Sequence, residues 1–91
     1  MSASVARRVI VSGQVQGVFF RDQTRRQARS RGVAGWVRNC PDGTVEAHFE
    51  GDASAVEELV RWCRDGPRHA NVRDVRVQEA EPAGLGGFTI R

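Results

Sequence analysis

Gly13-Gln14-Val15-Gln16-Gly17-Val18-Phe19-Phe20-Arg21 places two glycines and an arginine between an apolar run, Val9-Ile10-Val11, and a charged segment that begins near Arg21. A strand-to-helix turn of this composition suits an anion. Glycine adopts positive φ and lets backbone approach a ligand closely, while the first N–H groups of a helix are unpaired and lie at its positive dipole end. Arginine at the helix start adds a planar fork of donors that matches phosphate or carboxylate oxygens. A glycine pair alone describes an ordinary loop with a surface arginine more often than an anion site. The rest of the chain has to decide.

Around this turn the periodicity is readable. Arg7 to Ser12 is apolar and β-branched, which predicts a first strand, and residues 1–6 read as a short flexible tail ahead of a single domain over 7–91. Arg21 to Ser30 predicts a helix with a thin apolar stripe, Phe20, Thr24 and Ala28 at i, i+4 and i+8, closed by Gly32. Val33 to Asn39 predicts a second strand, with Val33, Gly35 and Val37 on one face and Ala34 and Trp36 on the other. Cys40-Pro41-Asp42-Gly43 supplies turn residues. Thr44 to Glu50 then alternates, Val45, Ala47 and Phe49 inward against Thr44, Glu46, His48 and Glu50 outward, so His48 is expected in solvent.

Gly51-Asp52 opens a second helix in which Ser54-Ala55-Val56-Glu57 has the form of a capping box. Val56, Leu59, Val60 and Cys63 form its core stripe, Trp62 its flank, and Gly66-Pro67 its stop. Val72, Val75 and Val77 mark a further strand, Pro82 to Gly87 a loop, and Phe88-Thr89-Ile90 a short terminal edge strand.

Composition narrows the classes. The chain of 91 residues has room for one small core, which buries about 60–65% of the unfolded surface. No run is long enough for a membrane span, and Met1-Ser2-Ala3-Ser4 lacks the apolar stretch of a signal peptide, so a cytoplasmic protein is expected. Cys40 and Cys63 have neither metal-ligand spacing nor the density of a secreted scaffold, which predicts a reduced pair. Net charge is +3 with arginine as the sole strong base; Arg21, Arg25, Arg26, Arg29 and Arg31 crowd the first helix against Asp22 alone. That face could steer anions or touch nucleic acid, or be plainly solvated.

Strand, helix, strand, strand, helix, strand with a final short strand is the order of an α+β ferredoxin-like split βαβ sandwich, a mixed, largely antiparallel sheet with two helices on one face. In that topology the first and second strands run parallel with the third between them, so their C-terminal ends share one end of the sheet. The glycine turn and Asn39 therefore meet. Asn39 offers a neutral amide with both a donor and an acceptor. Arg68 and His69 return to the same end after the second helix.

At this point the residues resemble a known family. Gly13 to Arg21 is similar to the first acylphosphatase signature, and Gly35-Trp36-Val37-Arg38-Asn39, followed by Gly43-Thr44-Val45 and Gly51, is similar to the second at its expected spacing. The resemblance covers nearly the whole chain and shows no departure from either motif. It implies an enzyme that hydrolyses the carboxyl-phosphate anhydride of small acyl phosphates, releasing a carboxylate and inorganic phosphate, with no metal or other cofactor. It also implies the site. Arg21 would bind the phosphoryl group with backbone N–H groups of Val15, Gln16, Gly17, Val18, Phe19 and Phe20, and Asn39 would orient the attacking water.

That division suits phosphoryl transfer, whose loose transition state spreads charge over the oxygens, so positioning and electrostatics dominate. A stable carboxylate leaving group needs no strong acid. Cys40 has no evident histidine partner, and Asp42 reads as a turn residue rather than a base. The same domain occurs inside larger carbamoyl-phosphate-handling maturation proteins; the length of this chain favours a free-standing, monomeric enzyme. An RNA-binding sheet would need stacked aromatics on exposed central strands, where Val and small residues stand here, so nucleic acid is not an expected partner. A sensing domain that binds phosphate-like ligands without turnover differs from the enzyme only in an activity assay.

Overall fold

Residues 4–91 are described by a computed structural model. The β-branched run around Val9 forms β1 (Ser4–Gln14), longer at both ends than its apolar centre suggests. Ser4, Val5 and Ala6 pair with Asp52, Gly51 and Glu50, so the expected tail over 1–6 is corrected at its last three residues. Residues 1–3 lie outside the described residues. α1 (Phe20–Ser30), β2 (Ala34–Asn39), β3 (Val45–Asp52), α2 (Ala53–Asp65), β4 (Asn71–Ala80) and β5 (Phe88–Ile90) follow in order.

The strands make one sheet in the order β4-β1-β3-β2-β5. β3 runs antiparallel to both β1 and β2, which are therefore parallel to each other, and β5 adds to β2 in parallel, with Gly35 opposite Phe88 and Val37 opposite Ile90. The βαββαβ ferredoxin-like order and its extra terminal strand stand as read from the chain. Val9, Val11, Val37, Val45, Ala47 and Phe49 from the sheet close on Phe20 and Ala28 of α1 and on Val56, Leu59 and Cys63 of α2 in one cluster. Both helices thus cover one face. Burying this set is the main force holding the site's elements together, at ~1.5–3 kcal/mol for each large side chain.

Local chemistry explains the element ends. α1 closes with Gly32 N–H donating to Arg29 and Val33 N–H to Ala28, at 3.3 and 2.9 Å, a Schellman pair that needs the left-handed Gly32 (φ 67°). Val33 is consequently a buried cap residue rather than the first residue of β2. α2 starts at Ala53 with Asp52 as its cap residue, and the Ser54 hydroxyl donates to the Asp52 carboxylate at 2.5 Å. The expected capping box from Ser54 to Glu57 therefore does not form; the helix begins one residue too early for it.

The face of the sheet away from the helices departs most from expectation. Glu46 and Glu50 are 4% and 5% exposed, and His48 is 9% exposed instead of lying in solvent. Alternation assigned these residues to the outer face correctly, but β3 is the central strand and its neighbours cover it. Arg8 and Arg38 close over Glu46 at 2.5 and 2.7 Å. His48 Nε2 donates to Glu50 at 2.7 Å, and Glu50 also accepts the backbone N–H groups of Ala83 and Leu85. Trp36 stacks on the His48 ring with centroids 6.2 Å apart, and the Arg91 guanidinium lies 4.6 Å over the Trp36 ring. The outer face thus carries an aromatic stack on β2 and β3 that the runs of Val did not suggest.

Candidate active site

Gly13 belongs to β1, not to the turn. β1 shifts its register against β4 between Ser12 and Gly13, and a Cβ on Gly13 would sit 2.2 Å from the carbonyl oxygen of Asn71. Glycine is required there because β4 passes too close for any side chain. The turn proper is Val15 to Phe19, with Gly17 at φ 74° in open space and Phe19 at φ 62°, ψ 23°. Left-handed backbone costs a non-glycine residue ~1–2 kcal/mol. Phe19 is the sole non-glycine residue with positive φ among those described, and it stands at the entrance to α1. The strain sits where the chain wraps a candidate ligand.

Outside helices and strands, the N–H groups of Gln16, Gly17, Val18 and Phe19 donate to no backbone carbonyl among the described residues. These donors and the positive end of α1 face the same turn. A cavity of ≈ 290 Å³ opens beside it, lined by Val15, Gly17, Phe19, Phe20, Arg21 and Asn39, with Asp22 and Ile90 completing the wall. Arg21 and Asn39, far apart in sequence, are brought to one cavity because β1 and β2 run parallel on either side of β3. The Arg21 guanidinium makes no hydrogen bond or ion pair among the described residues. Neither does the buried Oδ1 of Asn39. Leaving an amide oxygen buried and unpaired costs ~1–3 kcal/mol, and the residue that bears this cost lines the cavity beside the turn.

Two of the expected cradle residues do not line the cavity with their side chains. Val18 faces a neighbouring hollow. Gln16 turns away to the β2–β3 hairpin, where its amide donates to the carbonyls of Cys40 and Thr44 at 2.8 and 2.9 Å. Sequence reasoning missed this bridge; an amide with two donors beside a turn rich in carbonyls was the available signal. It also missed Ile90, which reaches the cavity because β5 pairs with β2. Asp22, the single carboxylate in the wall, is held by Arg25 and Arg26 at 2.9 and 3.4 Å. Its charge is therefore countered from within α1, and it leaves the field of Arg21 largely intact.

Other groups weighed from the sequence take structural places. Asp42 accepts from both the N–H and the hydroxyl of Thr44 at 3.0 and 2.7 Å, and the hydroxyl bond first, then the backbone bond, hold its carboxyl below the ordinary value. It is a turn residue. Arg68 and His69 line the hollow next to the cavity rather than the cavity itself. Of the arginines crowding α1, Arg29 donates to the carbonyl of Phe88 at 3.3 Å and Arg31 pairs with Glu58 at 3.5 Å. The basic face is thus partly absorbed by local pairing.

Comparison with known proteins gives a consistent result. A family model described as Acylphosphatase matches residues 7–90. An acylphosphatase of Rubrobacter xylanophilus is 65% identical over 86 residues, 92% of this chain and 77% of that protein. Among solved structures, an acylphosphatase from Coxiella burnetii superposes with a TM-score of 0.94 at 35% identity, covering 97% of this chain and 93% of that one. The acylphosphatase from Bacillus subtilis gives 0.93 at 38% identity, covering 96% and 98%.

Proposed function

The chain belongs to the acylphosphatase family, and from that premise we propose how its cradle hydrolyses the carboxyl-phosphate anhydride of a small acyl phosphate. The phosphoryl oxygens rest on the N–H groups of the Val15 to Phe20 turn and on the Arg21 guanidinium. The N–H groups are held by the backbone of the turn before the reaction, so charge developing on the oxygens meets donors that need little reorganisation, and the unpaired guanidinium adds its charge beside them. The Asn39 amide hydrogen-bonds the attacking water. Being neutral, its amide orients the water beside an anion without adding repulsion.

The water oxygen forms a bond to phosphorus as the bond from phosphorus to the acyl oxygen breaks. The acyl group leaves as a carboxylate, stable without protonation, and the water's proton passes to the phosphoryl oxygens, giving inorganic phosphate. Every step is met by positioning and fixed charge, as a loose phosphoryl-transfer transition state requires. No metal, cofactor or protein nucleophile enters this scheme. The observation that carries the reading is the convergence of an unpartnered Arg21 and the buried, unpartnered Oδ1 of Asn39 on one cavity. No helix among the described residues is long and apolar enough to cross a membrane, and we place the enzyme in the cytoplasm as a monomer acting on a free small molecule.

The test is hydrolysis of benzoyl phosphate in excess chelator, with phenyl phosphate as the monoester comparison. Fast anhydride cleavage with an inert monoester is expected. Phosphate binding without cleavage of the anhydride would instead make this a sensing domain.

A further inference from the structure

Next to the cradle lies a second hollow of ≈ 500 Å³, lined among others by Val18, Phe19, Trp62, Pro67, Arg68 and His69. It is continuous in its walls with the first, because Phe19 and Asp22 line both. Phe19 is the shared wall and is 75% exposed. Its left-handed backbone is strained (φ 62°), and that strain holds the ring at the boundary of the two hollows. Trp62, half-buried, packs on Phe20 with centroids 5.6 Å apart and lines the same hollow.

In phosphoryl transfer the attacking and leaving oxygens lie roughly in line through phosphorus. Asn39 and Ile90 line the cradle cavity and not the hollow, whereas the hollow adjoins the cradle through Phe19 and Asp22. A water held at Asn39 sends the leaving group to the side of the phosphorus away from Asn39, and the hollow that opens beyond Phe19 and Asp22 is the adjoining space that Asn39 does not line. Its lining combines apolar side chains, Val18, Phe19, Trp62 and Pro67, of which Phe19 is shared with the cradle, with the guanidinium of Arg68, which the cradle cavity does not include. Asp22, its one acidic lining residue, is held by Arg25 and Arg26, and Gln23 is neutral.

Resting on the reading of the cradle as the phosphoryl site, we propose that this hollow seats the acyl group, and that Arg68 selects acyl phosphates carrying a second anionic group at the far end of the acyl skeleton. The apolar wall holds the carbon body, and the exposed guanidinium meets the distal carboxylate. Arg68 acts on specificity alone and touches neither phosphorus nor water.

The experiment compares 4-carboxybenzoyl phosphate with benzoyl phosphate by kcat/KM, in the unaltered protein and in Arg68→Ala and Arg68→Glu. Arg68 is exposed, so both variants keep the fold, and inhibition by inorganic phosphate reports an intact cradle. Exposed ion pairs contribute ~0.2–1 kcal/mol, which sets the expected preference for the carboxylated substrate at about threefold. Arg68→Ala removes that preference and Arg68→Glu inverts it, and 0.5 M salt weakens it in the unaltered protein. Equal ratios in all three proteins, with both substrates cleaved, would overturn the hollow while leaving the cradle. Cleavage of neither substrate by the unaltered protein would overturn the phosphoryl reading and the hollow with it.

Discussion

Gln16 is tied to Cys40: its side-chain amide donates to the Cys40 carbonyl at 2.8 Å and also to that of Thr44 at 2.9 Å. The turn that presents the cradle N–H groups is thereby clamped to the hairpin whose first strand ends in Asn39. Cys40 and Thr44 are themselves paired, Cys40 N–H to Thr44 carbonyl at 2.8 Å, so the clamp grips a closed turn. In the proposed mechanism, phosphoryl group and water are consequently referenced to one frame.

This predicts a split for Gln16→Ala. Each lost neutral hydrogen bond costs ~1 kcal/mol of stability, and an error of about 1 Å in positioning a reacting group can cost a hundredfold in rate. With the cradle N–H groups and Arg21 still present, inhibition by inorganic phosphate should change by no more than about threefold while kcat falls by roughly tenfold or more. Steady-state kinetics with benzoyl phosphate measures both. Equal loss of phosphate affinity and kcat would show that Gln16 shapes the cradle alone and does not align it with Asn39.

Arg21 and Asn39 should separate in the opposite sense from each other. In the proposed mechanism Arg21→Ala removes a donor shared by bound phosphate and the transition state, so affinity and rate should fall together, the rate by about a hundredfold or more. Asn39→Ala removes only the water's partner, and turnover should be lost while the inhibition constant for phosphate stays within about twofold. Full activity in Asn39→Ala would exclude the water-orienting role.

What the chain disclosed beforehand, and what it hid, divides along a physical line. Phe20, Thr24 and Ala28 at helical spacing, and Val45, Ala47 and Phe49 at strand spacing, report which face a residue occupies, and all six are buried. Once the strand order followed, the meeting of Arg21 with Asn39 followed too. Periodicity does not report what covers the other face. His48 was expected in solvent, and the burial of Glu50 on the same outward face was not foreseen, because their cover comes from Ala83, Leu85 and Trp36, none adjacent in sequence. Gly13 was likewise read as part of the turn, since its true constraint is the approach of Asn71 from β4, the last long strand of the chain. Ile90 reaches the cavity only through a parallel pairing of a three-residue strand.

The Glu50 latch should make stability fall in acid. Burial opposes its ionisation, but hydrogen bonds from Ala83, His48 and Leu85 outweigh burial and hold its carboxyl below the ordinary glutamate value. Glu46 is held below the same value, burial again being overcome by Arg8 and Arg38. A carboxylate depressed in the folded state adds stability that is fully present above its unfolded value, about 4.3, and is lost as pH falls through the folded value. Urea midpoints should therefore be flat near neutrality and decline below about pH 4.5. Glu50→Gln cannot accept both loop N–H groups and His48 as an anion does, and should cost ~2 kcal/mol at pH 7, roughly 10 °C in Tm for a domain of this size. The variant should also show a shallower acid decline. An unchanged Tm would mean that the loop before β5 is held by something other than Glu50.

The two cysteines should differ sharply towards thiol reagents. Cys63 lies in the core against Leu59 and Val56, and burial pushes its thiol up to about 12, so thiolate is scarce at neutral pH and the reagent has no access. Cys40 is partly exposed, and its backbone, not its sulfur, receives Gln16. Titration with an aromatic disulfide at pH 8 should therefore release one equivalent from the folded protein and a second only in denaturant. Cys40→Ala removes the sulfur and leaves both hydrogen bonds of the hairpin carbonyls, so kcat/KM for benzoyl phosphate should stay within about twofold. A large loss in Cys40→Ala would place the thiol in the reaction and overturn a mechanism built only on positioned water. Retained activity in Cys40→Ala, set against the loss expected in Gln16→Ala, would show that the hairpin serves catalysis through its main chain.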